Sequence, residues 1–401
     1  MRHRGVSALV LSLALFFAVA DEPRGMAQNT PVKKAQQLLA KGSVQEATAL
    51  LRGAVTADPG NADAHLLLGT VLALQGLRDE SLAELQTAVR LRPNSAVFRD
   101  RLGEVLSRFV ETDAARREFE KALQLDPRLA DAHVNLSLAL AQQGELDGAA
   151  AHLDRAIELL GNSQGAARAH FLRAKIWAAQ NQMEKADVEL KCAVRLRPDF
   201  AEAWSDLGAV RRLERDYDGA EAALDKAVEL DSQNPLTEYR LGQAELENGK
   251  TDAAVRHLKI AMQYTPDDRP TLYALMRALK KTGRDEEAEF IRERVAKQLD
   301  ADRRASDVGF RATELNSEGI ELEKSGDLAG AVSKYKEAVD LDPTGFGFRL
   351  NYALGLCRLR QWETAVDELQ TVLKVDPNNA DAQKALYIAR DQIAQQQMRP
   401  K

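Results

Sequence analysis

Cysteine is nearly absent from this sequence, which has only Cys192 and Cys357 among its 401 residues. Two cysteines cannot form a disulfide framework, so we expect both to be small buried apolar residues rather than a bonded pair. Strong charge of one sign is also lacking, because 55 Lys and Arg residues against 61 Asp and Glu residues give a net charge of −6. This balance does not favour a sequence-independent nucleic-acid binder.

Motifs of the common catalytic and metal-binding classes are missing as well. The sequence contains no Gly-x-Ser-x-Gly, no Walker loop, no His-Glu-x-x-His and no Cys-x-x-Cys. The apolar fraction of 45% and the charged fraction of 29% are typical of a soluble globular protein. We therefore expect a protein that is not an enzyme and that holds no cofactor and no metal.

Long hydrophobic runs are confined to the N-terminus. Arg2 and Arg4 precede an apolar run of fifteen residues that ends in a small-x-small cleavage site. Fifteen residues are fewer than the ~20 that span a bilayer, so the pattern favours a signal peptide over an anchor. We expect residues 1–20 to be removed, with cleavage as late as Ala27 as the alternative. The mature protein is then exported, periplasmic or secreted, and not inserted in a membrane.

Proline is scarce, but its spacing is regular. Seven of the twelve prolines lie at multiples of 34 residues from one another, once insertions at 164–166 and 303–311 are set aside. Taking these prolines as position 32 defines ten repeats of 34 residues, numbered 1 to 10 in chain order. The repeats are 28–61, 62–95, 96–129, 130–163, 167–200, 201–234, 235–268, 269–302, 312–345 and 346–379.

Small residues recur in the same frame. Position 20 is Ala or Ser in all ten repeats, and position 8 is small in every repeat except at Met276. Apolar residues at helical spacing predict a first helix over positions 1–14, and a glycine at position 15 of six repeats predicts its end. A second helix follows, with a large residue at position 24, and the proline at position 32 ends it.

The order of these residues resembles the tetratricopeptide repeat. The match is close in repeat 6, which carries the family pattern at Trp204, Leu207, Gly208, Ala220, Leu224 and Ala227. The resemblance implies an all-α, right-handed superhelical α-solenoid of about ten helix-turn-helix units. Its repeats extend from residue 28 to residue 379, and residues 380–395 resemble one further helix that caps the last repeat.

Repeat 8 departs most from the family pattern. Met276 and Val295 replace small residues there, and the nine-residue insertion follows directly. We expect a block of eight repeats over 28–302, an insertion or extended helix over 303–311, and two further repeats over 312–379.

The resemblance also indicates a surface for partners. In the family the first helices line a concave face, built largely from positions 2, 5, 6, 9, 12 and 13. Such a groove, with spaced aromatic and cationic residues, suits an extended peptide, for example one with an acidic side chain or a C-terminal carboxylate. The alternative is that these residues pack between neighbouring repeats. Reading positions 5, 6 and 9 gives the candidate groove residues Phe171, Lys175, Tyr239, Arg240, Gln243, Tyr273 and Arg277.

Some members of the family bind chaperone C-termini with a clamp for two carboxylates. That clamp needs Lys and Asn at positions where this chain has Asp100 and Glu104, although Asn135 and Arg168 match it. We therefore do not expect a chaperone clamp. Three histidines at position 4, namely His65, His133 and His170, are expected to replace a packing aromatic rather than to bind metal.

The sequence is compatible with two functions. The first is a non-enzymatic scaffold that binds protein or peptide partners on its concave face outside the cytoplasm. The second is an accessory periplasmic component of a polysaccharide-export or outer-membrane assembly system. In that case aromatic residues such as Tyr239, Tyr273, Phe171 and Trp177 would stack on a glycan.

Overall fold

The computed structural model describes residues 30–397, and every regular element in that range is an α-helix. The expected all-α fold, built from helix-turn-helix units, is therefore confirmed. The predicted signal peptide over residues 1–20 lies outside the described residues. Within the described range, no helix combines the length and the apolar character needed to cross a membrane.

Twenty helices follow one another in the described range, with short turns between them. The first ten are α1 (Thr30–Ala40), α2 (Val44–Ala57), α3 (Ala62–Leu74), α4 (Arg78–Leu91), α5 (Ala96–Arg108), α6 (Thr112–Leu125), α7 (Ala130–Gln142), α8 (Leu146–Leu160), α9 (Ala166–Ala179) and α10 (Met183–Leu196). The second ten are α11 (Ala201–Leu213), α12 (Tyr217–Leu230), α13 (Pro235–Glu247), α14 (Thr251–Tyr264), α15 (Arg269–Lys281), α16 (Asp285–Lys324), α17 (Leu328–Leu341), α18 (Phe346–Arg358), α19 (Trp362–Val375) and α20 (Ala380–Gln397).

The helices fall where the proline spacing predicts them. Repeats 1 to 7 contain α1 to α14 in order, two helices each, and repeat 10 contains α18 and α19. At the turn between the two helices, position 15 has a positive φ in every repeat, whether or not the residue is glycine. A left-handed residue there ends the first helix and lets the second begin.

Small and large residues within one repeat fit against each other as the sequence predicts. A Cβ at Gly103 would lie 2.5 Å from the ring of Phe119, and one at Gly208 would lie 2.4 Å from Leu224. The small residue at position 8 therefore makes room for the large residue at position 24, which is almost completely buried in nine repeats. Burial of each such side chain contributes about 1.5–3 kcal/mol.

Helices of neighbouring repeats also pack together. From α2 to α13, each second helix contacts the next first helix, and several first helices contact each other, as α3 does with α5 and α5 with α7. The first helices of repeats 1 to 7 therefore line one surface, here called the first-helix face. It corresponds to the face on which the family resemblance places partners.

The chain divides into two compact bodies, one ending at Ala274 and the other beginning at Leu275. The boundary lies within α15, in the most degenerate repeat. The C-terminal body contains α16 to α20, in which α20 packs on α19 through Ala382 and Ala385.

Helix α16 is unusual because it belongs to two repeats. Its 40 residues include the second helix of repeat 8, the insertion over 303–311 and the first helix of repeat 9. All residues from Leu299 to Val308 are exposed. The middle of α16 is therefore a stretch of solvent-exposed helix.

Candidate functional site

The predicted groove residues of α9 are partly used in packing. The half-buried ring of Phe171 lies 4.8 Å from the ring of Phe200, and Nζ of Lys175 lies 5.5 Å from the Phe171 ring centre. Lys175 itself is exposed. This pair thus offers a cation held over an aromatic ring, with the outer side of the lysine open to a partner.

The predicted residues of α13 divide into two groups. Nε2 of Gln243 donates to the hydroxyl of Tyr239 at 2.6 Å, so these two half-buried side chains form a pair. Arg240 instead donates to Ser205 at 2.9 Å and to Asp206 at 2.7 Å, both on α11. For Arg240 the structure therefore shows the alternative role, packing between neighbouring repeats.

Tyr273 and Arg277 lie on α15, and both side chains are exposed; Tyr273 keeps 46% of its surface accessible. They are four positions apart in the sequence and so project from one side of the helix. The structure therefore groups the predicted residues as helix pairs, and Arg240 is hydrogen-bonded to the preceding repeat. Whether they bind a partner stays a prediction.

A cavity of about 350 Å³ lies on the first-helix face of the N-terminal body, at a place that sequence reasoning did not select. Helices α3, α5, α7 and α9 form it, and its polar wall includes Arg101, Glu104, Arg108 and Arg168. Leu74, Val105 and Leu138 provide apolar surface in the same cavity. The sequence does contain a signal for this cavity, which is arginine at two of the family's groove positions. Arg108 lies at position 13 of repeat 3, and Arg168 lies at position 2 of repeat 5.

The carboxylates beside this cavity already have partners. Nδ2 of Asn135 donates to Asp100 at 3.0 Å and to Glu104 at 3.1 Å, and Arg101 pairs with Glu104 at 2.5 Å. The amide that matches the chaperone clamp is thus bound to the two acids that replace the clamp's Lys and Asn. Burial, followed by repulsion from Glu104, raises the pKa of Asp100 to about 7.

The histidines at position 4 are hydrogen-bonded as well as packed. His65, His133 and His170 are buried or half-buried, and each bonds to position 23 of its own repeat, at Glu84, His152 and Glu189 respectively. The same spacing of 19 residues joins Arg99 to Glu118, His257 to Glu238 and Arg349 to Glu368.

A second contact extends from the same position. In five repeats the residue at position 4 also bonds to the carbonyl of the proline six residues earlier, as Trp204 does with Pro198 at 2.9 Å. His65, Arg99, His133 and Arg349 make the same contact. Position 4 therefore links the two helices of a repeat to the end of the preceding repeat, a polar role that the packing interpretation missed.

The two cysteines are not bonded to each other. Cys192 and Cys357 are free thiols, half-buried rather than fully buried, and burial raises the pKa of Cys357. Among residues 30–397, no group of three His, Cys, Asp or Glu side chains is placed to hold a metal ion.

Two family models, both described as tetratricopeptide repeat, match this chain. One matches residues 38–100, 245–308 and 322–387, and the other matches residues 102–164 and 189–235. Together they match well over half of the chain, in the repeats that the structure shows as helix pairs. The chain belongs to the tetratricopeptide repeat family, whose members are typically non-catalytic modules for protein–protein interaction.

Individual relatives are more distant. The chain is 26% identical over 202 residues to stress-induced-phosphoprotein 1 of Caenorhabditis elegans. The aligned segment covers 44% of this chain and 63% of that protein. The aligned part therefore spans less than two thirds of that relative.

Among solved structures, the chain is similar to YrrB, a TPR protein with an unusual peptide-binding site, with 20% identity and a TM-score of 0.41 over 47% of this chain and 96% of YrrB. It is also similar to pilF of Pseudomonas aeruginosa, with 20% identity and a TM-score of 0.48 over 52% of this chain and 94% of pilF.

Proposed function

We propose that this protein is a non-enzymatic scaffold that binds segments of partner proteins on its first-helix face. The observation that carries the proposal is the character of that face in the N-terminal body. It offers a cavity of about 350 Å³ and side chains such as Lys175, whose charged end is open to a partner. A recessed, mixed polar and apolar surface of this kind suits an extended peptide.

We further propose that the protein acts outside the cytoplasm. The support is the N-terminal sequence pattern, with Arg2 and Arg4 before a short apolar run. The accessory role in an envelope assembly system, with a glycan as ligand, is the alternative to a peptide-binding role.

The test is capture of partners by the mature protein, residues 28–401, from the extracytoplasmic fraction of its own source. A Tyr239→Ser, Tyr273→Ser double variant removes two aromatic side chains from first helices. We expect it to bind the captured protein at least about tenfold more weakly, because aromatic residues dominate the energetics of such contacts. Circular dichroism first establishes that the variant is folded.

The matched control is Tyr264→Ser, on the second helix α14. Tyr264 is 48% exposed, almost the same as Tyr273, but it does not lie on a first helix. The control should bind like the wild type. Equal binding by the double variant would contradict the proposed surface, and capture of no protein at all by the wild type would contradict the proposed function.

A further inference from the structure

The cavity on the first-helix face has an uneven charge, which bears on the kind of segment that it accepts. Three guanidinium groups line it, from Arg101, Arg108 and Arg168, but only one carboxylate, from Glu104. Arg101 neutralises that carboxylate at 2.5 Å. Two positive charges of the cavity are therefore left without a counter-charge.

Arg108 and Arg168 differ in this respect from arginines farther along the same face. Arg212 pairs with Glu247 at 2.8 Å, and Arg240 pairs with Asp206 at 2.7 Å. Arg108 donates only to the carbonyl of Ala73, at 3.2 Å. Within the described part of the chain, no carboxylate lies at ion-pair distance from either Arg108 or Arg168.

The charge of Arg168 acts instead on another cation. Burial lowers the pKa of Arg197, Asp199 and Glu202 oppose that lowering, and the positive charge of Arg168 adds a smaller contribution to it. Arg168 is exposed, as is Arg108, so both guanidinium groups are accessible from solvent. A bound anion would find two hydrogen-bonding forks ready to receive it.

The acidic side chains nearby do not oppose an anion strongly. Glu104 is bound by Arg101 and Asn135, and Asp100 is buried behind the same amide. With its pKa raised to about 7, Asp100 carries only part of a charge at neutral pH. The remaining wall consists of apolar groups such as Leu138 and neutral groups such as Thr70.

We infer that the cavity between α3, α5, α7 and α9 selects an acidic partner segment, with Arg108 and Arg168 binding its carboxylates and Leu138 contacting an adjacent apolar side chain. The inference rests on the proposed function and specifies the chemistry of the partner. The volume is at the lower end of the range of about 300–1,000 Å³ found for ligand pockets. The cavity therefore accepts a few side chains of the segment, and the rest lies along the first-helix face.

The test compares three short fluorescent peptides that differ only in charge: alternating Glu, Ala and Leu, the same peptide with Gln for Glu, and the same with Lys for Glu. Binding to the full mature chain is measured by fluorescence anisotropy at low and at physiological salt. We expect the Glu peptide to bind at least about tenfold more tightly than the Gln peptide. Higher salt should reduce that preference.

An Arg108→Gln, Arg168→Gln double variant should lose the preference for the Glu peptide. The control is Arg155→Gln, Arg195→Gln, which makes the same change in net charge on the second helices α8 and α10 and should keep the preference. Thermal unfolding establishes that both variants are folded.

The inference is overturned if the wild type binds the Glu and Gln peptides equally, or binds none of the three. It is also overturned if the cavity variant and the control variant behave alike. None of these results touches the proposed function, which the tyrosine variants test separately with a natural partner.

Discussion

At the residue scale, the turn between the two helices of each repeat contains a residue with a positive φ at position 15. Position 15 has a φ of +77° at Gly76 and +83° at Gly144, as expected of glycine. Val110 occupies the same position in repeat 3 with a φ of +63°, and Arg215 does so in repeat 6 with +64°. A β-branched residue in this region is strained by about 1–2 kcal/mol.

This strain predicts that Val110→Gly stabilises repeat 3. Val110 is 84% exposed, so its removal loses little buried surface. The relief of strain exceeds the extra entropy of glycine in the unfolded chain, and we expect a net gain of about 0.5–1 kcal/mol in the free energy of opening of α5 and α6. Hydrogen exchange of the amides in these two helices measures it.

The converse variant is Gly144→Val in repeat 4. A Cβ at Gly144 would have no atom within 4 Å, so the substitution introduces backbone strain without a steric clash. It should lower the free energy of opening of α7 and α8 by about 1 kcal/mol. If both variants leave exchange unchanged, the conformation at position 15 is not strained as described.

At the element scale, the C-terminal half of helix α16 differs from the first helices of most other repeats. In repeats 2 and 3, positions 7 and 10 hold buried apolar residues such as Leu68 and Val105. In repeat 9 the same positions hold Glu318 and Glu321, which are exposed. Repeat 1 is also polar there, with exposed Lys34 and Gln37 in a terminal helix. The C-terminal half of α16 therefore presents a solvated face like that of the first helix in an array.

The middle of α16 should respond mainly to helix propensity, because its residues from Leu299 to Val308 are exposed. Gly309→Ala favours the helix by about 0.5–1 kcal/mol, and Ser306→Pro opposes it by about 3 kcal/mol. We expect tryptic cleavage after Arg303 and Arg304 to be slower in the first variant than in the wild type and faster in the second. The rate of appearance of the two fragments on a gel measures this.

Both variants should keep the far-UV circular dichroism and the thermal midpoint of the wild type. Equal cleavage rates in all three proteins would mean that residues 303–311 do not behave as an isolated stretch of helix. A loss of stability in the proline variant would mean that this stretch is packed.

At the scale of the whole molecule, the fold was predictable because it depends on periodic residues. Proline at position 32 and small residues at positions 8 and 20 are repeated in the sequence, so their spacing alone placed the helices. The pairing of positions 4 and 23 was visible too, as His170 and Glu189, but it requires reading two positions together. Packing interpretations of single residues do not detect it.

The candidate site was less predictable, because it depends on which side chains neutralise each other. Arg240 satisfied the positional criterion for the groove, yet Asp206 of the preceding repeat pairs with it. Arg108 lies at position 13, and only the structure shows that no described carboxylate lies at ion-pair distance from it. Which charges pair between repeats depends on distances between side chains on different helices. A comparison of positions within one repeat does not contain those distances.

Photo-crosslinking from a first helix and from a second helix tests most directly whether partners bind on the first-helix face. A photoreactive residue replaces Lys175 on the first helix α9 in one protein and Val188 on the second helix α10 in another. Both positions are exposed, so access of solvent and of random proteins is comparable. Binding on the first-helix face predicts one partner adduct from position 175 that is absent from position 188. The same adduct from both positions, or from position 188 alone, would contradict binding on the first-helix face.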